Sequence, residues 1–438
     1  MTRFVRSIAG GAGFAGDRID PAVKLAQSGR VHAIALECLA ERTLVPGLRA
    51  RRRDSAKGGD PRIARRMTPL LGPAAANGCQ IITNFGAANP AAAAAEVAAL
   101  ARTQGLADLR VAAITGDDVR HLAGLIRWDD PIEGDLLGAH AYIGTAGIVA
   151  ATREDAGVIV TGRAADSALF AGALIPWLDG SDTALAGAIM LGHLLECSGQ
   201  LTGGNFEAPG PGALTAADYA DLGFPIADIR ADGTFEICVL EGSPGRIDRL
   251  TTTLQLLYEV HNPAAYITPD LTVDFTGVVI EEIGPQRVRV SGARPAGCPG
   301  QLKVSGFVDR PGAIADVEVG YAGHGALHRA RIAADVLRLR LGAIPEADLR
   351  IDLVGVNSVL GRLAGDSPGE PAEARVHISA RFADAAEAQI VEDEVYALSL
   401  SGPAGACSFR SETRPRLEIV NGFVARELVT TEVEWCAA

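Results

Sequence analysis

Carboxylates, guanidinium groups and side-chain amides recur in five short, glycine-rich segments, each directly after an apolar run. They are GGAGFAGDR (Gly10 to Arg18), ECLAER (Glu37 to Arg42), TNFGAANP (Thr83 to Pro90), TGDD (Thr115 to Asp118) and TGRAAD (Thr161 to Asp166). A carboxylate exchanges protons with carbon or a leaving group, a guanidinium fork grips a carboxylate or phosphate, and amide donors stabilise a developing enolate oxygen. Together they suit proton abstraction beside a carbonyl, and hence hydration or dehydration of a small branched carboxylate or its CoA thioester. On that chemistry Glu37, Asp118 and Asp17 are the candidate acid–base residues. Arg18, Arg42 and Arg163 are the anion anchors, so lysine in place of Arg18 or Arg163 is expected to weaken binding rather than folding. Asn84 and Asn89 are candidate oxyanion donors, and Asp166 and Gln200 candidate substrate contacts. The backbone at Gly11, Gly13 and Gly16 offers a nest for an anion. Any one of these residues is as readily a helix cap or a surface ion pair. Five such segments in succession point to a shared site.

Other chemistries compete for the same residues. Gly11 to Gly16 reads G-x-G-x-x-G after a strand, and Glu37 stands where a dinucleotide fold places its ribose-binding acid. The next helix, however, is expected only at Asp20-Pro21, too late to turn its N-terminus toward a pyrophosphate, so neither NAD nor flavin is expected. Asp117, Asp118 and Glu37 on adjacent loops would suit Mg²⁺ or Mn²⁺ in a metal-dependent lyase. His324 and His328 are spaced i, i+4 without an intervening Glu, which favours packing over metal binding, and Cys38 reads as a small buried residue before it reads as a nucleophile. The basic run Arg49 to Arg66 is a solvated face or a grip for a nucleotide tail, the latter being what a non-catalytic acyl-CoA or nucleotide-binding subunit with a partner chain would keep.

These segments need a scaffold that brings them to one edge. Short apolar strands (Arg3 to Ile8, Val31 to Leu36, Gln80 to Thr83, Leu109 to Ile114, Val158 to Thr161) alternate with amphipathic helices (Pro21 to Gln27 with Asp20 as N-cap, Arg62 to Asn77, Ala91 to Gln104, Ala165 to Leu178, Thr183 to Leu195). That alternation predicts an α/β fold: a doubly wound, mostly parallel sheet over residues 1–265 with its ligand site at the strands' carboxyl edge. Residues 266–438 change texture. LTVDFTGVVIEEIG and QRVRVSGARP alternate like antiparallel strands, and helices are expected at Ala326 to Leu341 and Ala385 to Leu398, making a smaller α+β domain. Asn205 to Pro225, with three glycines and three prolines, is expected to be a long functional loop.

Composition narrows the partners. The chain has 438 residues, 48% hydrophobic, with a formal charge of −13 that repels nucleic acid and anionic membranes. Seven scattered cysteines without a C-x-x-C pair fit a reducing cytoplasm, and no stretch reads as a signal peptide or membrane span. The expected partner is a small anion or CoA thioester, and an Ala- and Gly-rich chain of this length is expected to form a homo-oligomer.

Taken in order, GAGFAGDRIDPAVKLA, ECLAERT, IITNFGAANP, TGDDV, TGRAADSALF, ECSGQLTGGNF, ITPDLTVDFT, YAGHGALHRARIAA and SGPAGACSFR resemble the acyclic terpene utilisation AtuA family over nearly the whole chain. The resemblance implies a cytoplasmic protein handling branched acids and acyl-CoA thioesters. It assigns no catalytic residue.

Overall fold

The computed structural model describes residues 3–206, 213–364 and 371–436. They divide into two compact units, the first of Met1–Pro131, Leu137–Gly306 and Val420–Ala438, the second of Ile132–Leu136 and Phe307–Ile419. Part of the expected functional loop, 207–212, lies outside the described residues. Among those described, no helix is long and apolar enough to cross a membrane.

The first unit is mixed α/β. In chain order its leading elements are β1 (Phe4–Ala12), α1 (Asp20–Gln27), β2 (Ala33–Leu36), α2 (Glu41–Arg53), α3 (Ile63–Ala76), β3 (Gln80–Thr83), α4 (Pro90–Thr103), β4 (Val111–Thr115), α5 (Ala146–Arg153), β5 (Val158–Thr161), α6 (Asp166–Leu174) and α7 (Asp182–Leu195). AIAL, QIIT and VIVT are buried at every position, as strands covered on both faces must be. Alternation then sorts their side chains. Ile8, Ala33, Ala35, Ile82, Ile114 and Ile159 pack with α5, α6 and α7, while Ala9, Ile34, Leu36, Ile81, Ala113 and Val160 pack with α1, α3 and α4.

The expectation of a mostly parallel sheet needs correction. β1, β2, β3, β5 and β4 lie side by side in that order through four parallel pairings, but five antiparallel pairings flank them. Ile226–Arg230 and Phe235–Cys238 are joined by a short loop with Gly233 at φ +82°, and a hairpin can only be antiparallel. Val279–Gly284 and Arg287–Ser291 extend that flank, and Glu432–Cys436 pairs with β4 on the other. Residues 266–306 and 420–438 therefore belong to the first unit and not to a domain beginning at 266. The texture change near Pro269 marks a switch from parallel to antiparallel strands within one sheet.

Two helical details also differ. Asp20 is the first residue of α1 rather than its N-cap, which is Ile19. α2 was not expected, because Pro46 and Gly47 punctuate it; it forms because Leu44, Val45 and Leu48 bury one face, and Gly47 admits the Gly58 carbonyl, which would lie 2.5 Å from a β-carbon there.

In the second unit Leu349–Val354, Glu373–Phe382 and the segment Ala313 to Ala322 pair antiparallel, and helices Ala326–Arg340 and Gln389–Ser401 bury Leu327, Leu337, Val391 and Val395 in a core with Val317, Val376 and Ile378. This is the α+β pattern expected for that segment.

Candidate functional site

Because β1 to β5 run parallel, their carboxyl ends share one edge. Asn84, directly after β3, is fully buried there. Its Oδ1 accepts from the Cys38 N–H at 2.7 Å and its Nδ2 donates to Glu37 Oε1 at 3.0 Å. The Leu39 N–H donates to the same carboxylate oxygen at 2.9 Å. Asn84 thus staples the ends of β2 and β3 and fixes Glu37 in place.

The buried Glu37 belongs to a group of three carboxyls with Asp166, the first residue of α6, and Glu196, just past α7, both partly buried. Burial raises the pKa of each; the charge of Glu196 adds to the effect on Glu37, and those of Glu37 and Glu196 add to it on Asp166, against the pull of Arg163. Asp166 Oδ1 and Glu196 Oε2 are buried with no hydrogen-bond partner, a position costly for a carboxylate and tolerable for a neutral acid. Two glycines make room for this group. β-carbons at Gly10 and Gly13 would lie 2.7 Å from Ser198 Oγ and 2.6 Å from the Cys197 carbonyl carbon, so only glycine lets the 196–198 turn pass across the end of β1. Gly13→Ala is expected to cost about 1–3 kcal/mol in urea denaturation, because the atoms it meets are backbone and do not swing aside. A stability equal to that of the parent would show that the turn is free to move.

His193 extends the group. Its Nδ1 lies 2.9 Å from Glu196 Oε1 and its Nε2 3.1 Å from the Leu256 carbonyl, which only accepts. Nε2 must carry a hydrogen, so the Nδ1 contact needs one more proton, on His193 or on Glu196. Burial disfavours the imidazolium, but the Glu196 charge and the two hydrogen bonds outweigh it and raise the His193 pKa.

The sign of the pH dependence follows. Carboxyls with raised folded-state pKa values bind protons that the unfolded chain releases near its ordinary values of about 4. Their stabilisation is complete below that pH and is lost as pH rises toward the folded values. Glu37→Gln is therefore expected to flatten the fall in thermal midpoint as pH rises from about 4. Calorimetry of both proteins checks this, and parallel curves would mean that Glu37 is ionised in the fold.

Arg163, 4% exposed, follows β5. Its guanidinium donates to the Leu39 carbonyl, the Tyr142 hydroxyl and Glu41 Oε1, and lies 4.0 Å from the Tyr142 ring centroid. The Tyr142 hydroxyl in turn donates to Glu41. Burial opposes the charge on Glu41, but Arg163 and Tyr142 outweigh it and lower its pKa. Beyond this cluster a cleft of about 220 Å³ opens, lined by Asp166, Tyr142, Tyr266 and Lys303 on its polar side and by Ile267, Leu302 and Phe423 among its apolar side chains. Tyr266 packs on His193 with ring centroids 4.8 Å apart, joining the cleft wall to the carboxyls. Lys303, half exposed, sits 3.9 Å from Glu41 and 5.0 Å from the Tyr142 ring.

The structure places the expected site residues in several different roles. Glu37, Asn84, Arg163 and Asp166 come together. Asp17 instead closes its own loop, accepting from the Gly13 and Arg18 N–H groups at 2.8 Å each, and Arg18 pairs with Asp20 at the surface. Arg42 is exposed on the first turn of α2. Asn89 caps α4 and donates to the Ser55 and Lys57 carbonyls, 2.9 Å each, so it is no oxyanion donor. Gln200 bonds to Gln255 and Asn205. Asp118 pairs with Arg51 at 3.0 Å, while Asp117 accepts from the Arg163 N–H and contacts His140, both at 2.8 Å. Asp117, Asp118 and Glu37 are thus engaged separately, and no group of three His, Cys, Asp or Glu among the described residues is arranged to hold a metal.

The glycine loop is not an open nest. Gly11 lies inside β1 against Ile34, Gly13 is covered by Cys197, and Gly16 packs against Phe14. The buried Arg66 closes the loop from below, donating to the Ala15 and Asp17 carbonyls at 2.6 and 2.8 Å. Burial pushes the Cys38 thiol well up, leaving it a poor nucleophile. Glu196, His193, Tyr142, Tyr266 and Lys303 were not singled out from the sequence. Only ECSGQLTGGNF, one of the segments that carry the family resemblance, contains Glu196.

No curated protein matches the chain significantly. The family model described as acyclic terpene utilisation family protein AtuA matches residues 6–435 of 438, from within β1, through Glu37, Asp166 and Glu196, to within the strand that pairs with β4. The chain therefore belongs to the acyclic terpene utilisation AtuA family.

Proposed function

We propose that the chain is an enzyme of acyclic terpene utilisation that hydrates or dehydrates a branched carboxylate or its acyl-CoA thioester in the cleft at Asp166. The observation that carries this reading is a carboxyl held toward its neutral form at the wall of a cleft that is part apolar. A neutral Asp166 gives its proton to a departing hydroxyl while the Glu41 carboxylate takes the proton beside the carbonyl, so that water leaves and a C=C bond forms; in the reverse direction the Asp166 carboxylate takes a proton from the attacking water and Glu41 returns one to carbon. Burial and neighbouring acids push Asp166 up while Arg163 and Tyr142 push Glu41 down, the divergence by which acid and base roles separate in one site. Lys303 and Tyr142 also line the cleft and supply donors for a carboxylate or thioester carbonyl oxygen, and Ile267, Leu302 and Phe423 suit a branched chain. This acid–base chemistry needs neither nicotinamide nor flavin. It moves the catalytic assignment from Glu37, Asp118 and Asp17 to Asp166 and Glu41, with Glu37 and Glu196 behind Asp166.

The test is incubation of the full-length protein with branched 3-hydroxyacyl-CoA thioesters, the corresponding enoyl thioesters and the free acids, following enoyl absorbance. Turnover of at least one pair is expected. Saturable binding of the thioesters without turnover would replace the enzyme reading with that of an acyl-CoA-binding subunit.

A further inference from the structure

A second cavity, of about 550 Å³, lies at the opposite edge of the parallel strands, where β3, β4 and β5 begin, and Arg6, Gln80, Thr152 and Trp177 are among its lining residues. The Arg6 guanidinium lies 3.8 Å from the centroid of the Trp177 ring, and no carboxylate among the described residues pairs with it. A half-buried guanidinium without an anion is uncommon in a chain where most arginines of the first unit hold a carboxylate or a carbonyl. Three polar atoms here, Arg6 Nε, Gln80 Oε1 and Thr152 Oγ1, are buried without a hydrogen-bond partner, although Gln80 and Thr152 are only 6% and 4% exposed. Gln80 is not free to turn, since its Nε2 donates to the Ala156 carbonyl at 2.8 Å, which leaves Oε1 as a fixed acceptor. Such groups persist in folded proteins where a ligand or water completes them.

We propose that this cavity is a second ligand site, for a short carboxylate that also carries a hydroxyl or ammonium donor. The planar carboxylate pairs with the Arg6 fork, which stacking on Trp177 holds in orientation. The donor faces Gln80 Oε1 and Thr152 Oγ1. The last turns of α3 and α5 border the cavity, whose lining also includes the exposed Asp108 and Asp155, and the negative charge of the helix carbonyl ends and the two carboxylates favours a donor over a second anionic group. Ala74, Leu106 and Leu109 leave room for a short apolar body. Nothing in this assignment depends on the reaction proposed at Asp166, which lies at the other edge of the sheet.

The test uses the full-length protein and three probes of one size: lactate with a hydroxyl, alanine with an ammonium group, and propionate with neither. Saturation-transfer NMR and tryptophan fluorescence are expected to report saturable binding of lactate or alanine at a dissociation constant on the order of 1 mM, and to show which donor the site takes. Propionate is expected to bind about tenfold more weakly or worse. Arg6→Gln should abolish binding and Arg6→Lys weaken it, the latter guarding against a folding defect in the former, while Asp166→Asn leaves it unchanged. Propionate binding as tightly as both others, equal affinity in both Arg6 variants, loss of binding in Asp166→Asn, or no saturation by either donor-bearing probe would each overturn the proposal.

Discussion

Asp166→Asn is expected to lower turnover of the preferred thioester pair by about 10²- to 10⁴-fold, the usual contribution of a positioned acid–base group, with little change in affinity. The amide keeps the shape of the carboxyl and its neutrality but has no proton to give to oxygen. Folding should not suffer. Asp166 is partly buried, with Oδ1 fully so, and its pKa is raised well above the ordinary value by burial and by the charges of Glu37 and Glu196, so the parent fold already favours an uncharged group there. Because that shift makes the parent lose stability as pH rises from about 4, the variant is expected to be at least as stable at neutral pH. Steady-state kinetics and calorimetry on the same preparation check both halves. Turnover within about threefold of the parent would remove Asp166 from the chemistry, since a lost general acid costs far more.

Arg163→Met is expected to destabilise the fold by about 3–5 kcal/mol, the cost of breaking a buried ion pair from one side. The side chain is 4% exposed and serves the Leu39 carbonyl, the Tyr142 hydroxyl and Glu41 together. Methionine fills much of the same volume but leaves all three without their donor. Arg163→Lys keeps the charge and loses the fork, so it should fall between the parent and Met. This reverses the expectation from sequence that lysine here would weaken binding and spare the fold. Equilibrium denaturation of the three proteins settles the order. A parent-like midpoint for Arg163→Lys, with weaker ligand binding, would return Arg163 to the role of substrate anchor.

Arg163 shows how a site residue is found correctly and its work misread. Its position after VIVT, at the carboxyl edge of a parallel strand, follows from the apolar run alone. That its guanidinium turns back to Leu39 and Glu41 depends on α2, whose Pro46 and Gly47 hide it from periodicity. Asn84 and Asn89 divide in the same way. Both lie in TNFGAANP, yet Asn84 joins two strand ends while Asn89 caps α4, because Pro90 starts a helix there.

The sequence by itself determined the local elements: strands QIIT and VIVT to the residue, α7 within one residue, and therefore the edge at which Glu37, Asn84, Arg163 and Asp166 meet. These follow from short-range effects, namely apolar periodicity, Pro at helix starts and the parallel order that βαβ crossovers impose. Tertiary structure alone decided which acids are pushed toward their neutral form and which toward the charged one. Glu37 and Glu41 look alike as carboxylates within ECLAER, but burial pushes the first up, while Arg163 and Tyr142, both far away in sequence, outweigh burial and bring the second down. Glu196 reaches Glu37 only because Gly10 and Gly13 let the end of α7 cross β1, and Asp118 keeps a partner in Arg51 that Asp166 lacks. Charge state is a property of the packed environment, and no local pattern encodes it.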